Sequence, residues 1–295
     1  MSASVFNFPK KPTTVDEQVD LLESRGIIIG DRATAVRYLS RISYYRLVGY
    51  LLPFKIGDDL YSPVTFKMLT GLLSFDQQIR SLILKYAEHV EISLRTFVVS
   101  AFTSIPGCDG FEYLDYGIFI NKYKHARMME TIELEKRRSK ELFVKHYNKK
   151  YHGNMPIWVA IEMLTFGQLV IFYGNMHRFL RYTVAQQYQQ GIPAKTLDAL
   201  IDSFRDLRNR CAHFGRLYFW DFTGYMNEKW CVERDISQGN TGLFTQFLVM
   251  KELCVDPVIW KITMTELEKI MTTAKNTITL SHIQFPENWK EILEG

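Results

Sequence analysis

The sequence predicts an all-α fold, and three observations carry that prediction. Apolar residues recur at spacings of three and four over long stretches that contain no proline. Those stretches begin at residues able to cap a helix and end at Gly or Pro. Alternation of apolar and polar residues, the mark of a half-buried strand, is scarce, and no internal repeat or low-complexity tract intervenes.

The elements follow in order. Beyond a proline-broken arm, Thr14 and Glu17 form a capping-box pattern, and Val15, Val19 and Leu22 fall at helical spacing up to Gly26. Asp31 caps a second helix, in which Ala35, Tyr38, Leu39, Ile42, Tyr45 and Val48 recur until Gly49 and Pro53 end it. From Thr65 to Phe102 there is no proline and one glycine, Gly71, which reads as a single long helix; Glu91 and Arg95 lie one turn apart on it. A loop with Pro106, Gly107 and Gly110 leads to a charged stretch, Tyr123 to Tyr151, expected as one solvated helix. Pro156 opens a helix apolar on all sides that runs to Gly174, and a shorter piece covers Arg178 to Tyr188. The helix from Thr196 buries Leu197, Leu200, Ile201, Phe204, Leu207 and Cys211, with Asp206 placed to pair with Arg210 one turn on. Past Gly215 the chain is aromatic and irregular, and a last helix spans Asp256 to Thr277. We divide it into an N-terminal helical extension (1–60), a helical core (61–220) and a C-terminal helical segment packed on the core (221–295).

With 295 residues, 47% of them hydrophobic, the chain has ample material for a core. No apolar run approaches the ~20 residues that cross a bilayer, and the start of the chain lacks the apolar stretch of a secretory leader. A cytoplasmic protein without a membrane partner is expected. Cys108, Cys211, Cys231 and Cys254 are scattered, which fits a reducing compartment and argues against structural zinc. The net charge of +4 leans toward polyanions, though less than in a DNA-coating protein.

Chemistry concentrates at residues 208–213, Arg-Asn-Arg-Cys-Ala-His. A guanidinium grips phosphate through forked hydrogen bonds, an imidazole titrates near neutrality, and a carboxamide can orient either. Asn209 and His213, four apart, share a helix face, whereas Arg208 and His213 diverge by ~140° and converge only if the last turn loosens. Arg205, one turn earlier, makes the same helix end more basic. The competing reading is that such an end only complements its own macrodipole. No metal-ligand set accompanies the motif: His146 and His152 sit in a lysine-rich segment without acids at ligand spacing. Neither metal nor cofactor is expected. Tyr44, Tyr45 and Arg46 can stack on bases and grip phosphates, or pack into the core. The basic run from Lys136 to Lys150 can track a nucleic-acid backbone or form a solvated face. Glu162, on the apolar Pro156 helix, is expected to be buried and to need a basic partner.

The segment LRNRCAHFGRL (Leu207–Leu217) resembles the signature of the HEPN superfamily, an Arg, a polar residue, three variable residues and a His. From about residue 10 to 220 the chain resembles the Abi-like abortive-infection proteins of AbiD and AbiF type, and the C-terminal residues add little to the likeness. Three further segments carry the likeness: LLESRGIIIGDRATAVRYLSRISYYRLVGYLLPF (Leu21–Phe54), VEISLRT (Val90–Thr96) and MPIWVAIEMLTFGQL (Met155–Leu169). The resemblance implies a HEPN-type helical bundle and a metal-independent endoribonuclease or toxin in phage defence, with Arg208 and His213 as the catalytic pair and Asn209 between them. It also implies that Glu91 and Arg95 support the catalytic arginine, although a plain intrahelical ion pair competes, and that a small non-coding RNA serves as inhibitor. Arg205, Arg216, Tyr45 and Arg46 are the expected RNA contacts. Cleavage by the RNA 2′-hydroxyl needs an acid and a base, and the chain has one Arg-x4-His; a homodimer that joins two copies across a two-fold axis completes the site. The alternative is a HEPN protein that binds RNA or a partner without cutting.

Overall fold

A computed structural model describes residues 11–188, 191–234 and 241–295; the first ten residues of the expected N-terminal extension and part of the C-terminal segment lie outside them. Fourteen α-helices and four two- or three-residue strands make up the described chain, so the fold is all-α. Helix α1 (Val15–Ser24) opens with the capping box that its sequence predicts: Thr14 Oγ1 accepts from the Glu17 amide, and the Glu17 carboxylate accepts from the Thr14 amide at 2.6 Å. Strand β1 (Ile27–Ile28) follows, and Asp31 then caps α2 (Arg32–Leu39) by accepting from the Ala33 amide.

The second expected helix is interrupted. After Leu39, the Ser40 hydroxyl bonds back to the Arg37 carbonyl, a local alternative to continued helix, and the chain re-enters as a five-residue α3 (Tyr44–Val48). Residues Gly49–Phe54 tighten to 3-10 geometry around Pro53, which has no amide to donate. Strands β2 (Lys55–Gly57), β3 (Leu60–Tyr61) and β4 (Val64–Thr65) complete the connection; β2 pairs antiparallel with β3, and β4 parallel with β1.

Thr65 then caps α4 (Phe66–Thr103), the 38-residue spine of the molecule, against which α9 (Arg178–Ala185), α10 (Ala194–Ala212) and α13 (Pro257–Ala274) pack. Gly71 allows that packing, because a Cβ there would lie 2.7 Å from Thr277 Cγ2. The charged stretch forms two helices, α5 (Lys122–Arg138) and α6 (Leu142–Lys150), separated where Ser139 turns extended. The Pro156 helix is also split. A short α7 (Ile157–Ala160) tightens over Ile161–Met163, and α8 (Phe166–Asn175) restarts at a second capping box, Thr165 with Gln168. Helix α9 (Arg178–Ala185) leads to α10 (Ala194–Ala212), whose expected core residues are all buried.

The C-terminal part contributes α11 (Glu228–Val232), α12 (Leu243–Glu252), α13 (Pro257–Ala274) and α14 (Trp289–Glu294). Every residue of α12 from Leu243 to Met250 is buried, and Ser203 on α10 donates to Gln246 Oε1 at 3.0 Å. Among the described residues no helix is long and apolar enough to cross a membrane.

Candidate functional site

Helix α10 ends in a hydrogen-bonding pattern that fixes the geometry of its last polar residues. The His213 amide donates to Asn209 O, the Phe214 amide to Cys211 O at 3.0 Å, and the Gly215 amide to Arg210 O at 2.8 Å. That pair of bonds is a Schellman motif, which requires a left-handed residue just past the cap. The left-handed position falls on Phe214 (φ +58°), not on the glycine. Gly215 serves a different need: a Cβ there would sit 2.6 Å from Arg210 Cγ and 3.0 Å from Arg210 O. His213, at the cap with φ −92° and ψ 17°, leaves the helical conformation, and its side chain is exposed. The helix thus ends at His213, and no hydrogen bond joins it to Arg208 among the described residues.

Arg208 projects from α10 toward α4. Its Nε donates to Glu91 Oε1 at 3.0 Å and its Nη1 to Asn209 Oδ1 at 3.4 Å; Nη2 has no hydrogen bond among the described residues. Glu91 is mostly buried and Arg208 about one-third exposed, so the clamp is shielded while one edge of the guanidinium stays open. Arg95, one turn along α4 from Glu91, does not pair with it. It donates Nη2 to the Leu164 carbonyl at 2.6 Å, and its Nε lies 3.8 Å from Glu162. The break between α7 and α8 supplies that carbonyl, since Leu164 precedes the new helix cap. Glu91, Arg95, Glu162 and Arg208 line one groove of about 350 Å³ between α4 and the end of α10. Glu162 stands exposed at its rim, which corrects the expectation of a buried carboxylate; the helix break turns it outward.

Behind His213 the chain is pinned by residues that the sequence reading did not single out. Asp76, fully buried on α4, accepts from the amides of Leu217 (2.7 Å) and Tyr218 (2.8 Å), from the Tyr50 hydroxyl (2.7 Å) and from Arg80 Nη1 (3.3 Å). Arg80 also donates to the Gly215 carbonyl at 3.2 Å. Burial raises the Asp76 carboxyl overall, against the opposing pull of these four donors; burial beside the carboxylate likewise raises the Tyr50 hydroxyl. An Asp and an Arg four apart on a helix were the available signal, identical in form to Glu91 and Arg95.

The remaining expected residues divide. Arg46 reaches the site, donating Nη2 to the Phe214 carbonyl at 2.5 Å, and Tyr45 beside it is 85% exposed, so its ring is not core. Arg205 is engaged by Asp202 (2.6 Å) and Asp206 (3.2 Å); burial would lower its pKa, and the two carboxylates raise it overall. Asp206 therefore does not pair with Arg210 as expected. Arg210 instead stacks over the Trp220 ring (3.3 Å to the centroid) and donates to Arg216 O at 2.6 Å. Burial, together with nearby Arg216, brings Arg210 down to about 10. Arg216 turns inward to the Tyr218 carbonyl at 2.9 Å, and burial lowers it too.

A family model described as Abi-like protein matches residues 37–219, a span that contains the Arg208 clamp, His213 and the Asp76 anchor. No curated protein and no solved structure matches the chain.

Proposed function

The chain belongs to the Abi-like protein family, and we propose that it is a metal-independent endoribonuclease acting in abortive infection, the defence in which an infected bacterium halts its own growth. The observation that carries this reading is the Arg208 clamp. A guanidinium held at Nε by Glu91 and at Nη1 by Asn209 keeps Nη2 free for a phosphate, and an exposed histidine caps the same helix five residues on. In the reaction, the RNA 2′-hydroxyl loses its proton to a base and attacks the adjacent phosphorus. The bond to the 5′-oxygen breaks as an acid protonates it, leaving a 2′,3′-cyclic phosphate and a 5′-hydroxyl. Arg208 neutralises the charge that builds on the phosphorane oxygens. His213 supplies one proton transfer and the partner subunit's His213 the other, in a homodimeric cleft.

Purified protein incubated with single-stranded RNA and a chelator tests the reading. Wild type is expected to cut, and His213→Ala to cut at least about 10²-fold more slowly while still binding RNA in fluorescence anisotropy. RNA that stays bound and intact under every condition identifies a non-cutting binder instead. Sedimentation showing a monomer at concentrations of full activity overturns the shared cleft.

Glu91→Gln keeps the shape of the clamp but removes its charge. The expected result is a cleavage rate lower by roughly 10²-fold from misplacement of Arg208, with an unchanged melting temperature and partial recovery in Glu91→Asp. A rate equal to wild type means that Glu91 does not position Arg208 for the reaction.

A further inference from the structure

The end of α10 separates two grooves of opposite character, and Leu84 lines both. The Arg208 groove carries the carboxylates of Glu88, Glu91 and Glu162 beside Arg95 and Arg208, so beyond the free Nη2 of Arg208 it gives the rest of a polyanion little to follow. The second groove, about 440 Å³ between the α2–α3 break and α4, has no carboxylate in its lining. Arg41, Arg46, Gln77, Ser81 and Phe214 line it, all exposed. The break after α2 is what delivers Arg41 to this groove, and Arg41 forms no ion pair among the described residues. Phe214 stands at its edge with 65% exposure and φ +58°. A bulky residue in the left-handed region is strained, and a ring so exposed gains little from packing in return.

We propose that this groove holds the nucleotide next to the scissile phosphate, with its base stacked on the Phe214 ring and its phosphate on Arg41 and Arg46. The proposal rests on the ribonuclease reading for its register. Charge selects RNA as occupant: the Arg41 and Arg46 guanidinium groups without facing acids, polar Gln77 and Ser81, and one flat apolar surface match a backbone and a base. The Arg46 bond to the Phe214 carbonyl ties the arginine and the stacking ring into one unit, adjoining His213 in the chain.

The test uses the full chain and a single-stranded oligonucleotide made uncleavable by 2′-O-methylation, carrying one 2-aminopurine as a stacking reporter. Glycine is at ease where Phe214 is strained, so Phe214→Gly is expected to melt no lower than wild type yet to bind about five- to a hundredfold more weakly, with 2-aminopurine quenching lost. Phe214→Trp restores both. Arg41→Ala is expected to lower the slope of log affinity against log salt by about 0.7, one phosphate contact on a single strand, with quenching kept. Three results overturn the proposal: Phe214→Gly binding as tightly as wild type, wild type failing to bind the oligonucleotide, or weakened binding traced by sedimentation to a dimer that falls apart, which would seat a second copy on the ring. The two readings fail separately. If Phe214→Gly weakens binding while wild type never cuts RNA, the groove remains an RNA subsite and the enzyme reading falls. If His213→Ala abolishes cutting while Phe214→Gly binds normally, the subsite alone falls.

Discussion

Arg208→Lys is expected to slow RNA cleavage about 10³-fold or more, as far as Arg208→Ala, despite conserving the charge. An arginine at this position performs three tasks at once. Nε donates to Glu91, Nη1 donates to Asn209, and Nη2 is left for substrate. The planar fork makes these tasks compatible, since two donors fix the plane and the third then points in a set direction. A lysine ammonium has one nitrogen on a flexible stem; drawn to Glu91, it has nothing rigid to offer a phosphorane. Arg208→Lys should fold as wild type, because it keeps a cation for Glu91, whereas Arg208→Ala strands that mostly buried carboxylate and should melt somewhat lower. Single-turnover cleavage and thermal melting measure the two effects. Growth arrest on expression, relieved by Arg208→Lys, is the cellular counterpart. A lysine variant within tenfold of wild type means that charge alone matters and the clamp is incidental. Toxicity that survives Arg208→Ala and His213→Ala moves the site elsewhere.

The Glu91–Arg208 contact joins residues 117 positions apart, and the sequence alone leaves it undecided. Glu91 and Arg95 are one turn apart, so a local ion pair and a longer reach to Arg208 were equal readings. In the folded chain Arg95 turns instead to the Leu164 carbonyl, which a helix break exposes. The break was legible, because Thr165-Phe166-Gly167-Gln168 is a capping box; the unbroken apolar run around it masked the signal. The long helices are legible where a cap and a one-sided apolar stripe coincide, as in α4 and α13, and α10 is legible by its stripe alone, since Pro193 at its start offers no capping side chain. Helix α12 escaped for the opposite reason: residues buried on every side leave no stripe, and a short apolar run has no period to detect. The Asp206–Arg210 pair does not form, because Arg205 engages Asp206 and aromatic neighbours take up both partners. Tyr225 donates to Asp206, and Trp220 covers Arg210, from a segment whose composition gave no fold.

Asp76→Ala is expected to destabilise the protein by about 3–5 kcal/mol, the usual penalty when one partner of a buried ion pair is removed. The alanine strands four donors. Two are backbone amides, of Leu217 and Tyr218, which have no sheet or helix to fall back on; the others are the Tyr50 hydroxyl and the Arg80 guanidinium. Arg80 dominates, because it is only 6% exposed and keeps its charge with the Gly215 carbonyl as its remaining partner. Tyr50→Phe removes one neutral donor and leaves the carboxylate otherwise served, so its cost should be about 1 kcal/mol. Chemical denaturation midpoints at a shared slope report both values. A double substitution, Asp76→Leu with Arg80→Met, separates charge burial from shape. With both charges gone, much of the lost stability should return, since well-packed apolar groups replace buried ion pairs at little cost. The loop from Gly215 to Tyr218 would still have lost its anchor. The double variant is therefore expected to fold firmly yet cut poorly, because His213 and Phe214 hang from that loop. An Asp76→Ala protein within 0.5 kcal/mol of wild type, the range of ordinary surface changes, would mean that the anchor holds nothing.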